Sequence, residues 1–183
     1  MENESINGRL SKIDPTKGPL MFVLIGMPAS GKSTWRAAYL GYRNGTTDRS
    51  LVILSTDDIV ERIAAENGVT YDEAFDLVSM KDREREMKAN FAEALERGDD
   101  IIVDRTNLSV ASRNKFISRG RQSKHNYQAI GVVFDVSPEE LERRRNARHE
   151  AEGKSIPQQH IDDMVSRYEA PRSDEFDFII KGN

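Results

Sequence analysis

The residues best suited to chemistry lie in one stretch near the start of the chain, GMPASGKST. From Gly26 onward this stretch fits the pattern G-x-x-x-x-G-K-[ST], with Gly31, Lys32 and Ser33 at the fixed positions. Glycines let the backbone curl so that several N–H groups converge on phosphate oxygens, and the helix that follows adds its positive N-terminal end. The pattern therefore predicts a loop that binds a triphosphate.

The side chains of this loop predict separate roles for the phosphates and for a metal ion. Lys32 supplies a mobile positive charge for the β- and γ-phosphates, and the Ser33 hydroxyl supplies a ligand for Mg²⁺. An ordinary glycine-rich turn is the alternative, but a strand signal precedes the loop and a helix signal follows it. The residues expected to bind ATP in the loop are Gly26, Pro28, Ala29, Ser30, Gly31, Lys32, Ser33 and Thr34.

Carboxylates after two further strand signals are candidates for the remaining chemistry. Asp57 follows the apolar run Leu51–Leu54, and Asp104 closes the run Ile101–Val103. Ligands of open α/β sheets bind at the carboxyl ends of the strands, so Asp57 is a candidate catalytic base. The alternative is that Thr56 or Asp57 only caps the following helix. Asp104 is a candidate for holding Mg²⁺, directly or through water, with a simple turn-initiating aspartate as the alternative.

Polar and basic side chains follow Asp104. One of Thr106, Asn107 and Ser109 is expected to cap the next helix, and the others are available to bind substrate. No acidic residue occurs from Arg105 to Phe134, where six basic residues give a formal charge of +6. This stretch predicts either a grip on a phosphorylated substrate or a solvated helix face. The six are Arg105, Arg113, Lys115, Arg119, Arg121 and Lys124, of which Arg113 is included among the candidate substrate-binding residues.

An arginine-rich helix is predicted to begin at Ser137–Glu140, which spells a capping box with proline at the first helical position. Arg144 and Arg148 lie four residues apart on one face of this helix, so both guanidinium groups can reach one phosphate chain. The polar segment His149–Ser155 is expected to be a mobile lid loop, with another helix opening at Pro157.

The elements that position these residues follow from hydrophobic patterning. Five apolar runs are typical of buried strands, and helical segments separate them. This order predicts an α/β fold with three layers, a mostly parallel central sheet of about five strands with helices on both faces and a helical lid. The runs are Phe22–Ile25, Leu51–Leu54, Ile101–Val103, Ala129–Val136 and Phe176–Ile180.

Composition limits the class of protein. The 183 residues are 37% hydrophobic and 32% charged, with a formal net charge of −4. This length predicts one domain, residues 21–183, after a polar N-terminal segment, residues 1–20, that is either a loose tail or a peripheral strap. No signal-peptide pattern or membrane-spanning run is present, so we expect a cytoplasmic protein without a membrane partner. The absence of cysteine excludes disulfides and thiolate zinc sites.

Four motifs in order, GMPASGKSTW, STDD, IIVDRTNLS and the arginine-rich segment followed by IP, resemble the kinase domain of bacteriophage polynucleotide 5′-kinases, which are P-loop kinases. The resemblance covers roughly residues 22–168. It implies that Asp57 takes the proton from the acceptor hydroxyl. It implies that Lys32 and Ser33 serve ATP and Mg²⁺. It also implies that Arg144 and Arg148 are lid arginines that embrace the transferring phosphate.

The same resemblance bears on the acceptor. Thr106 and Asn107 match a threonine–asparagine pair that lies near the acceptor in this family. The family also carries an arginine three residues beyond its catalytic aspartate, where this chain has Val60, and Arg62 would point elsewhere on a helix. Ala29 stands where a glycine is usual.

The resemblance implies an ATP-dependent kinase acting on a hydroxyl of nucleic acid, DNA more readily than RNA, in the host cytoplasm if the protein is phage-encoded. The expected acceptor is a polynucleotide 5′-hydroxyl. A 5-hydroxymethylpyrimidine such as hydroxymethyluracil in phage DNA is an alternative, because Val60 leaves room for another pose, and a small molecule is a third. A non-catalytic nucleotide-binding switch is the alternative of another class, although Asn114–Ile117 lacks the aspartate of the guanine signature N-K-x-D. The sequence leaves the oligomeric state open.

Overall fold

A five-stranded sheet forms the centre of the protein in the computed structural model, which describes residues 6–44, 46–152 and 156–183. Every neighbouring pair of strands is parallel, and the strand order is β2-β3-β1-β4-β5. The predicted α/β fold with a parallel sheet is therefore confirmed. The strands are β1 (Leu20–Ile25), β2 (Leu51–Leu54), β3 (Asp100–Val103), β4 (Gln128–Val133) and β5 (Phe178–Lys181).

Helices connect the strands and cover both faces of the sheet. Within the described ranges, none of these helices is both long and apolar enough to cross a membrane. They are α1 (Ile6–Leu10), α2 (Lys32–Arg43), α3 (Thr56–Asn67), α4 (Tyr71–Leu77), α5 (Met80–Arg97), α6 (Val110–Gln122), α7 (Pro138–Glu152) and α8 (Gln158–Ser166).

The side chains of β1 alternate between two hydrophobic clusters, one on each face of the sheet. Met21 and Val23 belong to the cluster that contains residues of α5 and α6. Phe22 and Leu24 belong to the cluster that contains residues of α1 and α2. All six residues of β1 are buried, as its uninterrupted apolar run predicts.

The loops after β1, β2 and β3 leave the sheet at one edge, because the strands all point the same way. They carry the glycine-rich segment, Asp57 and Asp104 to that edge. Helix α5 returns the chain to the start of β3, so its N-terminal end lies at the same carboxyl edge. Consistent with this, Glu84 near the start of α5 pairs with Arg105 just after β3 at 2.8 Å.

The helical region Tyr71–Arg97 is interrupted between α4 and α5. Thr70 and Glu73 form a capping box at the start of α4, and the Ser79 side chain caps α5. Gly98 ends α5 in the left-handed region, with φ of 75°. Local capping chemistry therefore accounts for both the break and the end of this region.

The N-terminal segment packs against the domain over the residues that the structure describes. Leu10 and Ile13 are buried in the cluster that contains α2. Arg49 donates hydrogen bonds to the carbonyls of Pro15 and Gly18. These contacts favour the strap over the loose tail for residues 6–20, whereas the division into a tail at 1–20 and one domain at 21–183 stays a prediction.

The lid segment differs from expectation. Helix α7 extends to Glu152, so the prediction of a loop from His149 is wrong for its first four residues. The reason is that the sequence HEAE contains no helix breaker before Gly153. Residues 153–155 lie outside the described residues, and α8 begins at Gln158 with Pro157 as its N-cap.

Candidate active site

The glycine-rich loop between β1 and α2 is closely packed against Ser30 of the loop itself and against Phe134. A Cβ atom on Gly26 would lie 2.7 Å from the Ser30 Oγ and 2.9 Å from the Phe134 Cβ, so only glycine fits there. Gly31 has φ of 104° and Ala29 has φ of 65°, both in the left-handed region. This region is sterically unfavourable for alanine, so the loop holds Ala29 in a strained conformation.

Two polar groups of the loop suit a triphosphate. The Lys32 ammonium folds back and donates to the carbonyls of Gly26, at 3.0 Å, and Met27, at 2.7 Å. The Ser30 Oγ is buried and has no hydrogen-bond partner among the described residues. A lysine ammonium and an unsatisfied buried hydroxyl beside the N-terminal end of a helix are features that fit phosphate oxygens.

The pKa of Lys32 depends on its burial and on the charged residues around the loop. Burial lowers the pKa of Lys32 to about 8, and the charges of Asp104 and Asp57 oppose this shift. The charge of Arg148 lowers the same pKa further. Two candidate carboxylates and one candidate lid arginine therefore lie close enough to Lys32 to act on its charge.

Asp57 lies in the first turn of α3, and its carboxylate is available for chemistry. The Ser55 Oγ caps this helix by accepting the Asp58 N–H at 3.1 Å, so the alternative that Thr56 or Asp57 serves as the cap is wrong. Asp57 is exposed, and the Tyr71 hydroxyl donates to its Oδ1 at 3.4 Å. Burial raises the pKa of Tyr71 to about 12, so this hydroxyl keeps its proton.

Arg36 joins the two strand ends that carry the acidic residues, a contact that sequence reasoning missed. Its Nη1 lies 2.9 Å from Asp58 Oδ2 and 2.9 Å from Asp104 Oδ2. Burial raises the pKa of the Asp104 carboxyl, against the opposing charges of Arg36 and Lys32. The available signal was spacing, because Arg36 lies one helical turn after Lys32 and so shares its face of α2.

The same residues define where a magnesium ion would fit. Ser33 is exposed at the start of α2, and one oxygen of Asp104 is bonded to Arg36. Within the described ranges, no three His, Cys, Asp or Glu residues are grouped as a metal site. This donor set suits Mg²⁺, which keeps several waters and relies on substrate phosphates together with one or two protein groups.

Helix α7 brings its arginines to the glycine-rich loop. The Ser137 Oγ accepts the Glu140 N–H at 3.3 Å, so the predicted cap is present. The Glu140 carboxylate, in contrast, pairs with Arg143 and Arg144 at 2.7 Å each. Arg144 Nη1 approaches the carbonyl of Ala29 at 3.5 Å. Arg143 is exposed.

Asn107 and Arg113 are corrections to the predicted substrate-binding set. The Asn107 amide is buried and donates to the carbonyls of Leu24, at 2.7 Å, and Val103, at 3.1 Å, so it ties β1 to β3. Arg113 has no exposed surface and makes a two-bond ion pair with Glu175, at 2.8 and 2.9 Å. A buried side chain whose donors are already used cannot contact the acceptor.

The other candidates in this segment also differ in position, since Thr106 lies at the rim and Ser109 caps a helix. Thr106 is half-buried at the rim, and its carbonyl accepts the Gly26 N–H at 3.1 Å. Ser109 forms a capping box with Ser112, so it is the one of the three candidates that caps α6. The six basic residues between Arg105 and Phe134 do not gather at the site. Arg113 is buried against Glu175 and Arg105 pairs with Glu84. The other four are exposed, two of them in surface ion pairs, which favours the solvated face over the substrate grip; they are Lys115, Arg119, Arg121 and Lys124.

The arrangement combines a curled loop, a lysine, two carboxylates and arginines from a separate helix at one edge of the sheet. Residues 21–171 match a family described as AAA domain. The chain belongs to this family. The match of the AAA domain includes the loop, Asp57, Asp104 and both lid arginines. No curated protein matches the chain.

Solved structures share the fold of this AAA domain. A chain of the Pnkp1/Rnl/Hen1 RNA repair complex is 26% identical, with a TM-score of 0.60, over 82% of this chain and 44% of that chain. Kti12 from Chaetomium thermophilum, in complex with ADP-AlF3, is 16% identical, with a TM-score of 0.63, over 88% and 87%. The APS kinase CysC of Mycobacterium tuberculosis, in complex with AMPPNP and APS, is 16% identical, with a TM-score of 0.54, over 90% and 88%.

These comparisons establish a kinase-like P-loop fold. The predicted resemblance to a polynucleotide kinase is confirmed at the level of family and fold. This chain spans less than half the length of the RNA repair chain that it resembles. The fold supports a phosphotransferase, and relatives of the same fold bind nucleotide.

Proposed function

We propose that the protein is an ATP-dependent kinase that transfers the γ-phosphate to a hydroxyl on nucleic acid, most plainly a polynucleotide 5′-hydroxyl. One observation carries the proposal: the parallel strands β1, β2 and β3 bring Lys32, Asp57 and Asp104 to the same edge of the sheet. The charges of both carboxylates act on the Lys32 ammonium there. A base, a metal-binding carboxylate and a phosphate-binding cation are thereby available at one edge of the sheet. Phosphoryl transfer requires this set and little covalent chemistry from the protein.

Each side chain has a defined part in the proposed reaction. Lys32 and the loop N–H groups bind the phosphates of ATP, and Asp57 accepts the proton of the acceptor hydroxyl. General-base assistance of this kind contributes about 10² to 10⁴ in rate. Arg144 and Arg148 stabilise the charge that develops on the transferred group, where arginines of this type contribute about 10³ to 10⁵. Thr106, at the rim, contacts the acceptor.

Ser33 and Asp104 would hold Mg²⁺, directly or through water. When bound, the ion neutralises negative charge on the phosphates. Arg36 keeps the Asp104 carboxylate oriented, because it bonds one oxygen of that group at 2.9 Å. Lys32 is half-buried and supplies the second positive charge.

Among the three solved structures described above, the chain of the RNA repair complex is the most similar in sequence. This similarity supports nucleic acid as the acceptor. It gives no support to the preference for DNA over RNA. A hydroxymethylpyrimidine acceptor and a nucleotide switch therefore enter as arms of the test. Labelled ATP is offered to RNA and DNA with 5′-hydroxyl ends, to duplexes containing hydroxymethyluracil, and to nucleosides, with GTP as a competing donor.

Asp57→Asn is the decisive variant. We expect it to slow transfer by about 10² to 10⁴ while ATP affinity is unchanged, because the amide cannot accept the proton. Asp72→Asn is a matched control, since Asp72 occupies the same second position of α4 and is exposed. Normal turnover by Asp57→Asn would remove Asp57 as the base. Nucleotide binding without transfer to any acceptor would favour the switch.

A further inference from the structure

Arg83 is a buried cation without an anionic partner. Its side chain belongs to a residue that is only 4% exposed, and its Nε is buried without a hydrogen-bond partner. Among the described residues, no carboxylate forms an ion pair with it. The Phe75 ring lies over its guanidinium, with the ring centroid 4.0 Å from the guanidinium carbon. Buried arginines are ordinarily paired, because removing an unpaired charge from water is costly.

The position of Arg83 connects it with the active site. Arg83, Met87, Phe91 and Ala94 form the buried stripe of α5. Met87 and the residues after it pack in the hydrophobic cluster against the sheet, whereas Arg83 lies one turn nearer the N-terminal end of α5. That end lies at the carboxyl edge, because the adjacent Glu84 pairs with Arg105. Arg83, the charged residue of this buried stripe, therefore lies at the edge of the sheet where ligands bind.

Tyr71 links this cation to the proposed base. The charge of Arg83 acts on the Tyr71 hydroxyl, and that hydroxyl donates to Asp57 at 3.4 Å. The Phe75 ring lies 6.1 Å from the Tyr71 ring and is itself 41% exposed. The partly exposed Phe75 ring on α4 therefore covers one face of the Arg83 guanidinium, close to the side of the site where the acceptor would bind.

We infer that Arg83 binds an oxyanion carried by the acceptor, with the Phe75 ring as the cover that moves aside. The inference rests on the proposed function in taking the ligand to be the acceptor. An arginine fork matches the oxygens of a phosphate in two parallel bonds, and an incoming anion supplies the partner that the described residues do not. The phosphate next to a 5′-hydroxyl nucleoside provides this chemistry, as does the carboxylate of a small hydroxy acid.

Equilibrium binding tests the inference without relying on turnover. Calorimetry is performed on the whole chain in the presence of AMPPNP, which keeps the nucleotide site filled without transfer. The probes are a nucleoside 3′-phosphate, the same nucleoside without phosphate, and glycerate. Arg83→Met keeps the length of the side chain and removes the charge, and Arg83→Lys keeps the charge without the fork. Arg62→Met is the matched control, because Arg62 pairs on the surface with Glu66 and Glu86.

We expect Arg83→Met to weaken binding of the nucleoside 3′-phosphate about 10- to 100-fold, which corresponds to the loss of charge-assisted hydrogen bonds. Affinity for the unphosphorylated nucleoside and for AMPPNP is expected to stay at the wild-type value. Arg62→Met is expected to bind every probe as the wild type does. A loss confined to glycerate would also support the site and would identify a small acid as its source.

Wild-type affinity of both Arg83 variants for both oxyanions would overturn the inference and leave Arg83 as a packing residue of α4 and α5. Melting temperatures of the variants are measured in parallel, and Arg83→Lys serves if Arg83→Met does not fold. This result is independent of the labelled-ATP assay. An Arg83-dependent affinity with no transfer by the wild type would reject the kinase and retain the oxyanion site.

Discussion

The proton on Lys32 couples nucleotide binding to pH. Burial lowers the pKa of Lys32 to about 8, so the ammonium is present below that pH and is lost above it. Bound phosphates favour the charged form. Nucleotide affinity should therefore be constant below pH 8 and should fall above it, because binding must then take up a proton. The measurement is the Kd for ATP in EDTA at pH values on both sides of 8.

Lys32→Met is the control for this dependence. It should bind ATP more weakly at every pH and should show no change in affinity around pH 8, because the titrating group is gone. A wild-type slope that persists in Lys32→Met would assign the pH dependence to another group.

Whether the place of a single residue could be predicted depends on whether its contacts are with neighbours in the sequence. The position of Lys32 and Ser33 at the turn from β1 into α2 could be predicted from spacing alone, since the loop, strand and helix are contiguous in sequence. Asn107 and Arg113 could not, because their burial depends on Leu24 and Glu175, which are distant in the chain. The burial of Arg83 likewise depends on the packing of α4 over α5, which brings the Phe75 ring onto its guanidinium.

The first turn of α3 depends on its cap. The Ser55 Oγ accepts the Asp58 N–H at 3.1 Å, and Asp57 lies within the same turn. Ser55→Ala should lower the free energy of unfolding by about 1 kcal/mol, the usual contribution of an N-cap. Because the turn that orients Asp57 loosens, we also expect kcat to fall while KM for ATP is unchanged. Urea unfolding and steady-state kinetics measure the two effects.

Ser109→Ala provides the comparison, since Ser109 caps α6 in the same way and does not lie beside Asp57. It should lose similar stability and keep its kcat. An equal fall in kcat for both variants would mean that the effect of Ser55→Ala is one of general stability.

Elements were predictable wherever their signals are local. The apolar runs located all five strands, and the caps at Thr70, Ser79 and Ser109 account for helix starts. The predicted start of the lid loop is wrong because polar residues do not by themselves end a helix, and HEAE continues α7 to Glu152. Helix propensity without a breaker outweighs polarity in that segment.

The arrangement of the whole molecule lies largely beyond what the sequence can specify. Alternating strands and helices predict parallel pairing, but the order β2-β3-β1-β4-β5 depends on contacts between segments far apart in the chain. The N-terminal strap is an example, since Arg49 reaches back to the carbonyl of Gly18. Asp100, fully buried, accepts from both Arg43 and Arg49 and joins α2 to β3.

The ion pair of Arg113 and Glu175 joins α6 to the segment before β5, and it tests whether Arg113 is structural. Both side chains are almost completely buried. Arg113→Met should destabilise the protein by about 3 to 5 kcal/mol, because it leaves the Glu175 carboxylate unpaired. Replacing both residues, with Arg113→Met and Glu175→Leu together, should recover most of that loss, because no buried charge then lacks a partner. Urea unfolding of the two single variants and the double variant measures the coupling.

The affinity of folded Arg113→Met for acceptor should equal that of the wild type. A variant with wild-type stability and weakened acceptor binding would instead restore Arg113 to the substrate site and require Glu175 to release it.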